Sequence, residues 1–173
     1  MNLVSLSERG LQGKERRMIS GQILKEFRLF NGLDDSELAK IAELCYERSL
    51  KANTICFTQD KDATDVHLCC SGEVDIIIQL YEPWGTEVRV HTIRKGEVFG
   101  WSALLEPHNY TSSAKCAGRV EEVYIKGSDL LDLFEQNLHM GYVVMRNLSA
   151  IISSRLREDR QRLGRELSPD FQL

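Results

Sequence analysis

Hydrophobic positions change period twice along the chain. From Ile19 to Cys45 they recur at helical spacing: Ile23, Leu24, Phe27 and Phe30 mark one face, Gly32 interrupts it, and Leu38, Ile41, Ala42 and Cys45 mark the next. Two helices are predicted, and Asp34 with Glu37, just ahead of the second apolar run, predicts a capping box at its start. From Glu47 to Tyr124 the period becomes strand-like. Short segments around Arg48–Leu50, Thr54–Thr58, Val66–Cys70, Val74–Leu80, Val88–Thr92, Lys115–Ala117 and Val120–Ile125 are separated by turn residues, including Ser71-Gly72 and the hairpin tip Glu82-Pro83-Trp84-Gly85. Strands this short, with no helices between them, argue for an antiparallel sandwich or barrel. Helical spacing returns after Gly127. Ser128 is placed to cap a run containing Leu130, Leu131, Leu133 and Phe134. Beyond Asn137, Leu138, Tyr142, Met145, Ser149, Ile152 and Leu156 repeat at alternating intervals of four and three, and Val144, Leu148 and Ile151 widen the stripe. Such a stripe covers its own domain and still has width to meet a second helix. Leu163 and Leu167 extend it weakly before Pro169 closes it.

One stretch follows neither period. In Lys95–Ala117, KGEVFGWSALLEPHNYTSSAKCA, Gly96 and Gly100 bracket the apolar pair Val98 and Phe99. Ser102 stands where an N-cap belongs, ahead of Ala103, Leu104 and Leu105, and Pro107 stops the helix after one turn. Free N–H groups at such a helix start, just past a glycine, offer an anion site. Thr111, Ser112 and Ser113 then bring three hydroxyls into one short run.

Composition narrows the function classes. The 173 residues suffice for one domain with a full core, at 42% apolar and 28% charged, and the net charge of −4 gives no general pull toward nucleic acid. No apolar run approaches the roughly 20 residues of a membrane span, and the first residues lack the apolar core of a signal peptide. The expectation is a cytoplasmic protein. The five cysteines (45, 56, 69, 70, 116) show no metal spacing; Cys69 and Cys70, adjacent in a strand, face opposite sides, and all five read as reduced core thiols. No nucleophile, base and acid arrangement is marked, so the chain does not read as an enzyme. His67 and His91 lie in strands, and His108 in the loop of the Lys95–Ala117 stretch; no metal site is expected.

The stretch Lys95-Gly96-Glu97-Val98-Phe99-Gly100, the helix Ala103-Leu104-Leu105 and the loop after it resemble the phosphate-binding cassette of the cyclic nucleotide-binding domain family, which includes the catabolite activator protein and protein kinase A regulatory subunits. The resemblance covers about residues 20–160. It extends to the Leu29–Leu33 and Glu37-Leu38 region, the Ser71-Gly72 turn and the inward aromatic Phe57. It implies a mainly β fold: an antiparallel β-roll, or jelly-roll, with N-terminal helices and a long C-terminal helix. The organisation expected is an N-terminal extension over 1–18, helices and roll over 19–126 with the cassette at 96–117, and lid or dimerisation helices over 127–168. No DNA-binding domain is expected.

The family's chemistry is altered at two places. Trp101 stands where the family has the Glu that holds a ribose hydroxyl, and Thr111 where it has the Arg that pairs with the cyclic phosphate. Ala52-Asn53 and Asp60-Lys61 replace turn glycines, with Asn53 and Asp60 able to take left-handed geometry. The resemblance therefore implies a non-enzymatic sensor or regulatory module with weak or altered binding of a cyclic nucleotide or other small anionic ligand. Its site residues are Phe99, Gly100, Trp101, Ser102, Ala103, Thr111, Ser112 and Ser113. It also implies a homodimer through Leu138, Tyr142, Met145, Ile152 and Leu156. The rival reading is a protein-interaction or dimerisation module that has lost its ligand, with Trp101 plugging the pocket. A redox or haem sensor ranks behind both.

Overall fold

The computed structural model describes residues 19–81, 83 and 85–167. The extension over 1–18, the stop at Pro169, and Glu82 and Trp84 of the hairpin tip lie outside the described residues.

The first predicted helix is two pieces. Helix α1 spans Gly21–Leu24, capped by Ser20, whose hydroxyl accepts from the N–H of Gln22 at 3.3 Å, and a separate 3-10 turn spans Arg28–Phe30. Between them Phe27 is extended (φ −105°, ψ 122°), so Leu24, Phe27 and Phe30 are buried by folding the chain over itself rather than along one straight face. Helix α2, Asp35–Ala42, starts with the expected capping box. Asp34 Oδ1 accepts from the N–H of Glu37 at 2.8 Å, and Glu37 Oε2 accepts from the N–H of Asp34 at 3.1 Å.

Eight strands follow: β1 Cys45–Leu50, β2 Ile55–Phe57, β3 Asp65–Ser71, β4 Val74–Gln79, β5 Glu87–Ile93, β6 Val98–Phe99, β7 Ser113–Cys116 and β8 Val120–Lys126. They form two four-stranded sheets, ordered β1-β8-β3-β6 and β2-β7-β4-β5, with every pairing antiparallel. This is an antiparallel β-roll. Asn53 (φ 65°) and Asp60 (φ 61°) take the left-handed geometry that their turns require.

The sheet β1-β8-β3-β6 is a wall between two cores. Strand alternation sends Val66, Leu68, Val123 and Ile125 toward the helices, where they meet Leu24, Phe30, Ile41, Leu130 and Leu148. Cys69 and Val120 point the other way, into the roll, with Val74, Ile93, Phe99, Ala114 and Cys116. Adjacent Cys69 and Cys70 serve different cores, Cys70 packing on the helical side.

Helix α3 spans Gly127–Gln136 and α4 spans Leu138–Leu167. Ser128 does not cap α3: the N-cap is Lys126, and the Ser128 hydroxyl donates to Asp129 instead. Helix α4 buries Met140, Val143, Val144 and Leu148, and the Asn147 side-chain amide donates to the carbonyls of Leu29 (3.0 Å) and Asn31 (2.7 Å). Of the residues expected at a dimer surface, Met145 and Ile152 pack partly against the chain's own core, while Leu138, Tyr142 and Leu156 are exposed.

Candidate ligand site

The site starts where β6 ends. Gly100 is left-handed (φ 71°), and a Cβ there would lie 2.7 Å from His67 Cδ2 and 2.9 Å from the carbonyl oxygen of Asp65. Only glycine lets the chain turn this close to β3. It leads into one 3-10 turn, Trp101–Leu104, for which Gly100 and not Ser102 is the N-cap. Ser102 lies within the turn and its carbonyl accepts from Leu105, while the N–H of Ala103 donates to the carbonyl of Gly100 at 3.2 Å. The Ala103 N–H expected to receive an anion is therefore already engaged.

The loop that follows is tied to the roll by Tyr110. Its ring stacks on Phe57 (centroids 3.9 Å apart), and its hydroxyl accepts from the N–H groups of Thr64 and Asp65 while donating to the Asp65 carbonyl. Behind it, the buried His67 ring stacks on Phe99 at 4.8 Å. A cavity of about 180 Å³ opens between these aromatic residues, the apolar side chains of β4 and β5, and α4.

Six of the eight residues proposed from sequence line this cavity: Phe99, Gly100, Trp101, Ser102, Thr111 and Ser112. Ala103 and Ser113 are placed elsewhere. Ala103 is buried against Gly127, where a Cβ on the glycine would sit 2.4 Å from the Ala103 carbonyl oxygen; Ser113 accepts from the N–H of Gln59 at 3.0 Å.

Sequence reasoning missed the charged side of the cavity. Arg155 and Asp159 of α4 and His91 of β5 line it. Arg155 Nη2 lies 3.0 Å from Glu97 Oε1, and His91 Nε2 stands 3.6 Å from the same oxygen, an ionic distance too long for a hydrogen bond. Burial, reinforced by the Arg155 charge, holds His91 below the usual histidine value. Two turns beyond Arg155, Arg162 donates to the carbonyl of Val90. A signal was readable: Val144, Leu148 and Ile151 run at helical spacing onto Arg155, so the arginine continues a buried face.

A second polar cluster lies inside the roll. Glu122 is fully buried, with Arg48 Nε 2.5 Å and His67 Nδ1 3.3 Å from its Oε1. Burial pushes the Glu122 carboxyl up, but the hydrogen bond from His67 and the Arg48 charge outweigh it and hold it below the ordinary carboxylate value. The Arg48 guanidinium also lies over the Tyr124 ring at 4.7 Å. Among the described residues no group of three or more His, Cys, Asp or Glu side chains is arranged to hold a metal ion, and no helix is long and apolar enough to cross a membrane.

Comparison with known proteins gives the same architecture. A search of curated proteins returns no match. Among solved structures, a putative cyclic nucleotide-binding protein from Geobacter metallireducens is 32% identical, with a TM-score of 0.71 over 80% of this chain and 99% of that one. The catabolite activator protein of Thermus thermophilus is 26% identical, with a TM-score of 0.66 over 79% of this chain and 62% of that one. The regulatory domain of Toxoplasma gondii PKA, solved with cAMP, shares the fold at 22% identity and a TM-score of 0.59, over 68% of this chain and 42% of that one. The family model for the cyclic nucleotide-binding domain matches residues 47–137. With that match over the roll and its cassette, the chain belongs to the cyclic nucleotide-binding domain family.

Proposed function

We propose that this chain is a non-enzymatic, cytoplasmic regulatory module whose roll receives a small molecule weakly compared with a cyclic nucleotide in an intact cassette. The observation that carries this reading is the lining of the cavity. Trp101 and Thr111 stand there in place of a carboxylate and a guanidinium, and among the described lining residues the one arginine, Arg155, is already paired with Glu97. A charge-assisted hydrogen bond is worth about 1.5–3 kcal/mol, so losing the phosphate and ribose contacts together weakens binding by several powers of ten at about 1.4 kcal/mol per tenfold. What remains is an apolar, aromatic lining with the hydroxyl residues Ser102, Thr111 and Ser112 and the charged side of His91, Arg155 and Asp159.

The output element is α4. It lies over the cavity through Arg155 and Asp159, and α3, which precedes it, starts at Gly127 against the cassette turn. A ligand that displaces Arg155 from Glu97 therefore acts directly on the lid.

Calorimetry with cyclic AMP and cyclic GMP tests the reading. The expected dissociation constants are no tighter than about 10–100 µM, or about −5.5 to −7 kcal/mol. A sub-micromolar value for either nucleotide overturns it. Trp101→Glu with Thr111→Arg restores both missing groups and is expected to tighten binding. The rival reading, an interaction module without a ligand, draws on the exposed Leu156 and Leu163 of α4, which are seven residues apart and suited to a second copy of the same helix.

A further inference from the structure

Three of the cysteines are tied to the backbone. Cys45 Sγ donates to the carbonyl of Ile41 at 3.3 Å, Cys69 Sγ to those of Ser71 and Gly72 at 3.6 Å, and Cys70 Sγ to that of Leu68 at 3.8 Å. Burial pushes these thiols up, to about 12, about 12 and about 11 respectively. The other two face each other. Cys56 on β2 and Cys116 on β7 have their sulfurs 3.8 Å apart, Cys116 buried in the roll and Cys56 half-buried beside it.

The local backbone holds the two residues side by side. The β2–β7 ladder is irregular between Ile55 and Phe57, so Cys56 occupies the irregular position, while the flanking bonds from Cys116 N to Thr54 O (2.9 Å) and from Asn53 N to Cys116 O (2.8 Å) fix the register. Charge is present too. The Arg48 guanidinium favours the thiolate at either sulfur, and the buried Glu122 opposes it. The hydrogen bond between the two thiols lowers Cys116 against burial, and together with burial raises Cys56, so Cys116 is the sulfur favoured as thiolate.

We propose that Cys56 and Cys116 form a reversible dithiol–disulfide site inside the roll, oxidised by a hydroperoxide. In the first step a thiolate of the pair attacks one peroxide oxygen, the O–O bond breaks, and the departing hydroxide takes a proton to leave as water. In the second step the other thiol attacks the sulfenic sulfur, and the hydroxyl leaves with a proton as a second water. Two S–H bonds and one O–O bond are lost, and one S–S bond and two O–H bonds are made. Each sulfur loses one electron, and hydrogen peroxide is reduced to two waters. Closing the gap to a disulfide bond length of about 2.05 Å adds a covalent tie between β2 and β7, already paired in one sheet. Phe57, the next residue after Cys56, lines the ligand cavity, and Ser113 at the start of β7 follows the lining residues Thr111 and Ser112. The bond therefore ties the strand that carries Phe57 to the strand that follows Thr111 and Ser112.

The intact chain, reduced and diluted to prevent contact between molecules, is treated with a few equivalents of hydrogen peroxide. It is then unfolded, alkylated and mapped by mass spectrometry. The expected result is a monomer lighter by two hydrogens, free thiols falling from five to three, one cross-linked peptide pair containing Cys56 and Cys116, and full reversal by dithiothreitol. In Cys56→Ser the other four thiols are expected to survive the same treatment. Retention of all five thiols in the unmodified chain overturns the proposal. So does a bond involving Cys45, Cys69 or Cys70, a link between two chains, or oxidation of Cys56 that stops short of joining Cys116.

Discussion

Glu122 is the residue on which the interior of the roll depends most. A carboxylate with no exposed side-chain surface is tolerable only because Arg48 and His67 both address it. Removing one member of such a buried pair leaves an uncompensated charge and costs about 3–5 kcal/mol. Glu122→Ala is therefore expected to lower the stability measured by urea unfolding by that order, or to prevent folding. The pH dependence has a fixed sign. Because the folded carboxyl is held below its ordinary value of 4.5, its contribution is fully present above pH 4.5 and is lost as acid takes the pH down through the folded value. Glu122→Gln is expected to flatten the acid limb of stability against pH; an unchanged limb would show that other carboxylates govern it. None of this was legible in the sequence, where Arg48, His67 and Glu122 sit on three strands and nothing local marks them as partners. The local signals were legible: the capping box of Asp34 and Glu37, and the left-handed turns of Asn53 and Asp60, depend on neighbours a few residues away. Ser102 and Ser128 show the limit of that reading. Each has the right residue type one or two places past the true helix start, which the backbone at Gly100 and Lys126 determines instead.

Between elements, the contact that matters is the one joining the cassette turn to α3. Gly127 opens α3 with no room for a side chain, since a Cβ would approach the Ala103 carbonyl oxygen to 2.4 Å and the Ala103 side chain to 2.9 Å. Both neighbours belong to the turn carrying Trp101 and Ser102. Gly127→Ala must push the cassette and α3 apart, at a cost of about 1–3 kcal/mol typical of overpacking. The expected outcome is a lower thermal midpoint together with faster amide exchange in 100–105 and at the start of α3, while β1 and β8 stay protected. Uniform loss of protection across all strands would mean that the contact supports the whole fold and does not link two parts of it. Sequence patterning located both elements but not their meeting, because a glycine before a helix is equally consistent with an ordinary turn.

For the molecule as a whole, the alternation of strands and the change of period predicted an antiparallel sandwich or barrel between helical ends, and the resemblance of the cassette made it a roll. The lid was harder. The stripe from Leu138 to Leu156 was wide enough to cover two surfaces, but periodicity did not say which part was used internally. Met145 and Ile152 pack partly on the chain's own core, leaving Leu156 and Leu163, 48% and 53% exposed, as the apolar seam on the far half of α4. If a second copy covers that seam, the unmodified protein is expected to be dimeric by light scattering at tens of micromolar, roughly −6 kcal/mol or better. Leu156→Glu with Leu163→Glu is then expected to give a folded monomer, since neither residue is buried. A monomeric unmodified protein at that concentration removes the dimer from the proposed function.

Strand β3 has a consequence for watching this protein in motion. Its neighbouring residues Cys69 and Cys70 hang on opposite sides of one wall, the first sealed inside the roll and the second against the helical layer. A thiol reagent reaches Cys70 from its partly exposed helical side, but must wait for the roll to open before it reaches Cys69. The two side chains are thus a pair of clocks on one backbone, each reporting on its own side of the wall. Cys70, the partly exposed one, is expected to label first, and loosening of the helical layer should speed it while leaving Cys69 unchanged. Equal labelling rates at the two positions, followed by quantitative mass spectrometry, would show that roll and helices open only together, as a single cooperative unit.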